Sequence, residues 1–305
     1  MHVLITGGTG LIGQRLCQAL IARGDAVTVL SRKPHQVASI CGPQVKAIAH
    51  IDQIPEYDFD AVINLAGAPI VDAAWTAQRK QELLASRVGL TRNLVDQLLK
   101  LGKPPRILIS GSAIGYYGTS DTVEITESAP AGQDFSARLC SDWEAEALRY
   151  KTLAAEHAQE VRVVLLRTGL VLDPRGGVLK KMLLPFRLGL GGKLGHGRQW
   201  MSWIHHRDYL SAVLSLLDDQ RCEGPYNLVA PQPVSNAGFT QCLAQVLHRP
   251  AVFSTPAFVL KLVLGERAVL VLEGSHIAPQ RLLEQGFQFQ FNDLSLALSE
   301  IIQAG

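Results

Sequence analysis

Apolar residues recur along this chain with two different periods. Continuous β-prone runs at residues 2–5, 26–30, 60–65, 106–110 and 161–166 suit strands buried on both faces, and 46–49 predicts a weaker one. Helical spacing fills the intervals: Leu16, Ala19 and Leu20 before a glycine stop at Gly24, a long segment over about 76–101 stopped by Gly102, and another through Trp143 and Leu148. This alternation predicts an α/β fold with a doubly wound parallel sheet. Ligands of such sheets lie outside the carboxyl ends of the strands, where Gly7, Arg32, Ala66 and Ser110 are expected to converge.

The turn after the first strand carries the clearest chemistry. Thr6-Gly7-Gly8-Thr9-Gly10-Leu11-Ile12-Gly13 fits both G-x-G-x-x-G (Gly8, Gly10, Gly13) and G-x-x-G-x-x-G (Gly7, Gly10, Gly13). It stands directly between a strand and a helix, the context that separates a dinucleotide-binding turn from an ordinary glycine-rich one. One glycine permits a positive φ and another lets the backbone approach a pyrophosphate. Gly13 is expected to let the helix pack closely on the strand. The pyrophosphate would then meet unpaired N–H groups at the positive end of the helix. After the second strand, Ser31-Arg32-Lys33 stands where an NAD-selective site normally places an acid for the ribose 2′-hydroxyl. Arg32 offers phosphate a planar donor fork and a permanent charge, so the expected cofactor is NADP(H) on a Rossmann sheet.

Composition narrows the setting. A chain of 305 residues can bury a substantial core, and 47% hydrophobic residues, 18% charged residues and a net charge of +2 argue against disorder and against a nucleic-acid partner. The five cysteines, Cys17, Cys41, Cys140, Cys222 and Cys242, are scattered without a metal-ligand spacing. They predict a reducing, cytoplasmic setting and no metal site. No membrane partner is expected, because the apolar stretch 258–272 is broken by Lys261, Glu266 and Arg267 and is too short for a bilayer. A homodimer stays open.

The later half is predicted as follows. A glycine-rich, basic segment over 176–197 reads as a substrate loop, and 226–229 returns to the main sheet as its last strand. Ser235 caps a helix over 236–247, and two or three helices follow Pro250, one starting at Pro279 with proline in its first turn. The expected organisation is a nucleotide-binding Rossmann domain over 1–172 and a smaller C-terminal α/β substrate lobe with a helical end over 173–305. Residues 205–230 are expected to rejoin the sheet.

Along nearly its whole length the chain resembles the extended short-chain dehydrogenase/reductase superfamily. The resemblance is carried by the 6–13 loop, Asn64-Leu65-Ala66-Gly67, the 110–118 segment, and Trp203-Ile204-His205 leading to Asp208. More closely it resembles the atypical branch of epimerase family proteins, NAD-dependent epimerase/dehydratase-like with a C-terminal domain of unknown function. The marks of that branch stand at residues 31–34, 183–192, 203–205, 272–274 and 279–281. The resemblance implies nucleotide contacts at Thr6, Gly7, Gly10, Leu11, Ile12, Gly13, Ser31, Arg32, Leu65, Ala66, Gly67, Glu82, Arg87 and Val171. For Val171 a plain core role explains a strand-end valine equally well.

The superfamily's Tyr-x-x-x-Lys pair is replaced by Ser136 and Cys140, with Glu144 at the position of the usual glutamate. Ser112 stands where a serine polarises the substrate carbonyl, and Tyr116 or Tyr117 is the fallback proton donor, although stacking in the loop also accounts for the tyrosine pair. Two functions are expected on these grounds. One is an epimerase or oxidoreductase acting on a small hydroxylated or sugar-like substrate. The other is a catalytically weak NADPH-binding protein that signals to a protein partner.

Overall fold

Strand β1 (His2–Thr6) feeds two cores. Val3 and Ile5 enter one and Leu4 the other, because successive side chains of a strand point to opposite faces and helices cover both. In the computed structural model, which describes residues 1–56, 58–119 and 124–303, β1 lies inside a seven-stranded parallel sheet. Its neighbours are β2 (Ala26–Leu30), β3 (Lys46–Ile48), β4 (Ala61–Asn64), β5 (Ile107–Ala113), β6 (Arg162–Thr168) and an edge strand at Gly224–Leu228. The order is β3-β2-β1-β4-β5-β6 and then the edge strand. Residues 120–123 of the polar loop expected after Gly118 lie outside the described residues.

Helix α1 (Leu11–Ala22) and α2 (Val37–Cys41) lie on one face of the sheet, where Leu16, Leu20, Val37 and Cys41 pack beneath Val3 and Ile5. Gly24, at φ +86°, closes α1: its N–H bonds Ile21 O and the next N–H, of Asp25, bonds Leu20 O. On the other face lie α3 (Ala77–Leu84), α4 (Leu90–Leu98) and α5 (Phe135–Glu156). The segment expected to be one uninterrupted helix widens into a π turn at Ala85–Gly89, between α3 and α4. Such turns concentrate at functional sites.

Strand β5 does not stop at Ser110. It stays in register with β6 from Ile107 opposite Arg162 to Ala113 opposite Thr168, and Gly111 leaves room for the ring of Trp143. Ser110 is therefore fully buried inside the sheet, level with Asn64 and Thr6 where β4 and β1 end, while β5 runs three residues farther.

The segment expected to be a substrate loop folds instead as α6 (Gly177–Arg187) and a short strand, Gly192–Leu194. Leu179, Leu183 and Phe186, at helical spacing, bury themselves in a third core. Helix α7 (His206–Asp218) and the edge strand then rejoin the main sheet, as expected. Ser235 caps α8 (Asn236–Val246) by accepting the N–H of Gly238. The C-terminal part holds more pieces than expected: a strand at Phe253–Thr255 and helices α9 (Ala257–Leu264), α10 (Val269–Leu272), α11 (Gln280–Glu284) and α12 (Leu294–Gln303). Gly265 and Gly286 take positive φ where the chain turns between them. Pro279 is the N-cap of α11, one position before its first turn.

Two buried side chains fasten this end to the sheet. Asp208 is fully buried on α7 and accepts the N–H groups of Gln290 at 2.8 Å and Phe291 at 2.9 Å. His205, fully buried, caps α7 through Nδ1, which accepts the N–H of Arg207, while Nε2 lies 3.0 Å from Glu300 on α12. Glu300 favours a charged ring, but burial and the positive field of His206, Arg207 and Arg15 outweigh it, and its Nδ1 lone pair is already in use. The pKa of His205 is held down to about 3. An unfolded chain takes up this proton near pH 6.5, so the native state loses stability as pH falls from 6.5 toward 3, by about 1.4 kcal/mol per unit. Urea unfolding at pH 7 and pH 5 should show this loss, and His205→Asn, which keeps a capping side chain, should remove one proton's share of the slope. Equal slopes in the two proteins would place the titration elsewhere.

Candidate functional site

The turn at the carboxyl end of β1 is built by contacts that only glycine permits. Gly7 has φ +72°, and a Cβ there would stand 2.8 Å from the carbonyl carbon and oxygen of Leu65. A Cβ on Gly13 would lie 2.3 Å from Gly7 O and 2.6 Å from Gly8 Cα, so this glycine closes the helix onto the turn itself and not, as expected, onto the strand. Gly10 is the N-cap of α1, with extended backbone, no side-chain cap and no acid in the first turn that follows. The N–H groups of that turn have no intrahelical acceptor. Leu11 and Ile12, half-buried, form the start of the helix, and Leu11 packs on Gly176 ahead of α6.

Thr6 serves this turn from below. Its buried hydroxyl donates to Asn64 Oδ1 at 2.6 Å and accepts the N–H of Ala66 at 3.1 Å, so its side chain is committed to the floor and not to a ligand. Asn64 Nδ2 in turn donates to Thr91 Oγ1, which also accepts from Trp143 Nε1 at 3.0 Å. Leu65, Ala66 and Gly67 leave β4 above this network. Gly67 meets the guanidinium of Arg87, whose Cζ would lie 2.9 Å from a Cβ at that position.

Arg87 sits in the π turn, half-buried, with its guanidinium 5.4 Å from the centre of the Trp143 ring. Among the described residues it has no carboxylate partner, and burial, with nearby Arg79, pushes its pKa below the ordinary arginine value. Glu82 faces the other way, paired with Arg79 at 2.9 Å and half-exposed. Ser31 Oγ accepts the N–H of Lys33, and Arg32 is exposed without a hydrogen bond or ion pair among the described residues. Val171, half-buried on the short strand Leu170–Leu172, packs against the first core. The structure thus gathers the glycine turn, Leu65–Gly67 and Arg87 at one edge of the sheet, and puts Arg32 at the end of the neighbouring strand β2.

The expected acid–base residues are engaged elsewhere. Ser112, on β5, gives its proton to Glu144 Oε1 at 2.6 Å. Glu144 receives Arg167 through two bonds of 2.8 Å each, a bidentate pair with both partners buried. The Arg167 guanidinium also donates to the Tyr117 hydroxyl at 2.9 Å and lies 3.5 Å from the centre of the Tyr116 ring. Tyr117 passes its own proton to Asn227 on the edge strand at 2.6 Å, and burial pushes its pKa up to about 12. At the two altered positions of α5, Ser136 is buried with a hydroxyl that has no hydrogen-bond partner among the described residues, and burial pushes the thiol of Cys140 up to about 12, so it is protonated at neutral pH. Arg167 and Asn227 escaped the sequence reading, although an arginine at the end of the apolar run Val163-Val164-Leu165-Leu166 was a readable sign of a buried pair.

A family model described as the NAD dependent epimerase/dehydratase family matches residues 3–228. The chain belongs to this family. Residues 255–301 match a domain of unknown function, DUF1731, so the epimerase-family sheet and the C-terminal segment that Asp208 fastens to it are separately matched. Epimerase family protein SDR39U1 of Homo sapiens is 38% identical over 306 residues, covering 99% of this chain and 100% of the relative. The chloroplastic SDR39U1 homologue of Arabidopsis thaliana is 38% identical over 310 residues, covering 99% of this chain and 87% of the relative. A crystal structure of human SDR39U1 with NADPH matches with a TM-score of 0.88 at 36% identity and covers 99% of both chains. UDP-glucuronic acid 4-epimerase from Bacillus cereus, at 16% identity and a TM-score of 0.80 over 100% of this chain and 99% of its own, shares the fold.

The epimerase-family site therefore holds a buried ion pair whose two halves depend on each other. Glu144→Leu should cost about 3–5 kcal/mol by stranding the Arg167 charge. Adding Arg167→Met should recover much of that loss in chemical denaturation, and a double variant as unstable as the single one would mean that the pair's hydrogen bonds to Ser112 and Tyr117 dominate.

Proposed function

We propose that this chain binds NADP(H) across the carboxyl edge of the sheet and acts slowly, through its nicotinamide, on a small carbonyl or hydroxyl substrate. The reading rests on one observation above the rest. The amino end of α1 has no side-chain cap and, unlike the equally uncapped starts of α6 and α9, it follows directly from the glycine turn at the carboxyl end of β1. Backbone N–H groups left open beside a glycine turn suit a pyrophosphate. Arg32, free at the end of β2, suits the 2′-phosphate, and Arg87, a half-buried cation without a carboxylate, suits a ligand oxygen or the nicotinamide side of the nucleotide. The human relative crystallised with NADPH supports the same nucleotide. Five free cysteines suit a reducing compartment such as the cytoplasm.

A bound NADPH would supply the hydride. Among the chain's own residues, proton supply is the weak point. The protons of Ser112 and Tyr117 are committed to Glu144 and Asn227, and Cys140 brings no charge. Arg87 offers charge, Ser136 offers a hydroxyl far too weakly acidic to replace a phenol, and Tyr116 is stacked on Arg167. Losing a positioned acid costs about 10²–10⁴ in rate. These commitments favour a second role, in which the nucleotide-loaded protein is read by a partner and turnover is incidental.

In calorimetry NADPH should bind about 10–100-fold more tightly than NADH, the worth of a charge-assisted bond to the 2′-phosphate, and Arg32→Ala should erase most of the difference. Gly10→Val should abolish binding while the fold survives, because the Gly10 backbone is extended and a Cβ there meets only Gly7 O, at 3.1 Å. Equal affinity for the two nucleotides would remove the assignment. With carbonyl substrates, NADPH oxidation should stay below about 10 s⁻¹, the median for enzymes; faster turnover that persists in a Tyr116→Phe, Tyr117→Phe double variant would reveal an acid not named above.

A further inference from the structure

The wall beside Ser136 is apolar, and its cations other than Arg87 are already spoken for. Beyond Gly67 the chain folds back on itself: Trp75 Nε1 donates to Ile70 O at 2.9 Å, and the indole meets Phe135 edge-on at 5.1 Å. Trp75, Leu83 and Leu139 are buried in one cluster, and half-buried Ala68, Ile70, Phe135, Val269 and Leu270 pack against it. Val269 and Leu270 belong to α10, so the C-terminal segment lies across the mouth of the nicotinamide side. Lys80–Glu266 and the 2.7 Å bond from Arg267 to Val71 O hold it there. Around this mouth Arg79 is paired with Glu82, Lys80 with Glu266 and Lys181 with Asp72, while Arg138 is bound to Gln133 O. Arg87 is left over, and it lies against Gly67 on the nucleotide side. Two surface cavities, of about 570 and 340 Å³, lie elsewhere, one against α8 and the other at Glu127 and Arg281.

We infer that the substrate is an uncharged molecule with an apolar body and one carbonyl or hydroxyl oxygen, not a nucleotide sugar. This rests on the nucleotide reading above and narrows its substrate. A sugar nucleotide brings a diphosphate whose charge needs free cations or N–H donors, and of the cations named at this mouth all but Arg87, which lies on the nucleotide side, already have an acceptor. An aromatic or branched body loses water-exposed apolar surface against Trp75, Phe135 and Leu270. Its one oxygen meets the hydroxyl of Ser136, a residue nine-tenths buried whose hydroxyl has no hydrogen-bond partner among the described residues, although a buried polar group requires one. Ser136 follows Phe135 directly and packs against the turn at Gly115, next to Ser112 and Ala113 on β5, so the polar and apolar contacts fall on one ligand.

The test titrates the full-length protein first with NADP⁺, which reports on the nucleotide reading alone. The NADP⁺-saturated protein is then titrated by calorimetry with 4-phenyl-2-butanone, which forms an unreactive ternary complex, and with UDP-glucose. The ketone should bind at least about tenfold more tightly than UDP-glucose, and Ser136→Ala should weaken it about fivefold, one hydrogen bond's worth. Leu270→Gln, on a half-buried position that can keep its fold, should weaken it as well. If NADP⁺ binds but UDP-glucose equals or exceeds the ketone, or neither binds at millimolar concentration, the apolar assignment is overturned and the nucleotide reading stands. An unchanged ketone affinity in Ser136→Ala overturns the role given to that hydroxyl.

Discussion

Everything at the carboxyl edge of this sheet depends on the approach of Gly7 to the Leu65 carbonyl, closer than any side chain would allow. With a Cβ at that point β1 and β4 could not finish side by side, and neither the open end of α1 nor the strip from Leu65 to Gly67 would face a common ligand. Beneath it Thr6, Asn64, Thr91 and Trp143 form a fully hydrogen-bonded buried chain, which fixes the same edge from below. Such a network specifies one arrangement because each member, left unpaired, would be costly. Flexible-looking glycine and rigid buried amide are two halves of one constraint.

Farther along the edge, order comes from a buried ion pair. Arg167 and Glu144 neutralise each other in the core, and between them they orient Ser112, Tyr117 and Tyr116. Desolvating two charges stabilises little on balance, so the pair is better understood as fixing geometry than as adding stability. It makes β5, α5 and the edge strand agree on one register, and it does so with groups that elsewhere move protons.

The sheet was legible because its strands are continuous apolar runs, and the glycine turn was legible because its spacing has a steric cause. What stayed hidden was pairing between distant residues. No local pattern tells that Ser112 faces Glu144 or that Tyr117 reaches Asn227, 110 residues away. The extent of β5 was hidden too, since its last residues, Gly111 to Ala113, lack strand propensity and are held only by β6 and by the Trp143 ring. The apparent substrate loop misled because glycine and lysine mask the spacing of Leu179, Leu183 and Phe186, which becomes visible only against the core they fill.

The last strand of the sheet is made from Gly224–Leu228, after the whole excursion that builds α6 and its neighbours. Until the ribosome has released that stretch, β6 is a bare edge: Val163, Val164, Leu165 and Leu166 stand in a row of unpaired backbone donors and acceptors. For the time needed to synthesise roughly sixty residues, a few seconds at ordinary elongation rates, the nascent chain carries a template for pairing with other chains. The interruption that builds α6 and the third core also gives biosynthesis an aggregation-prone interval, and chaperone demand would be concentrated there.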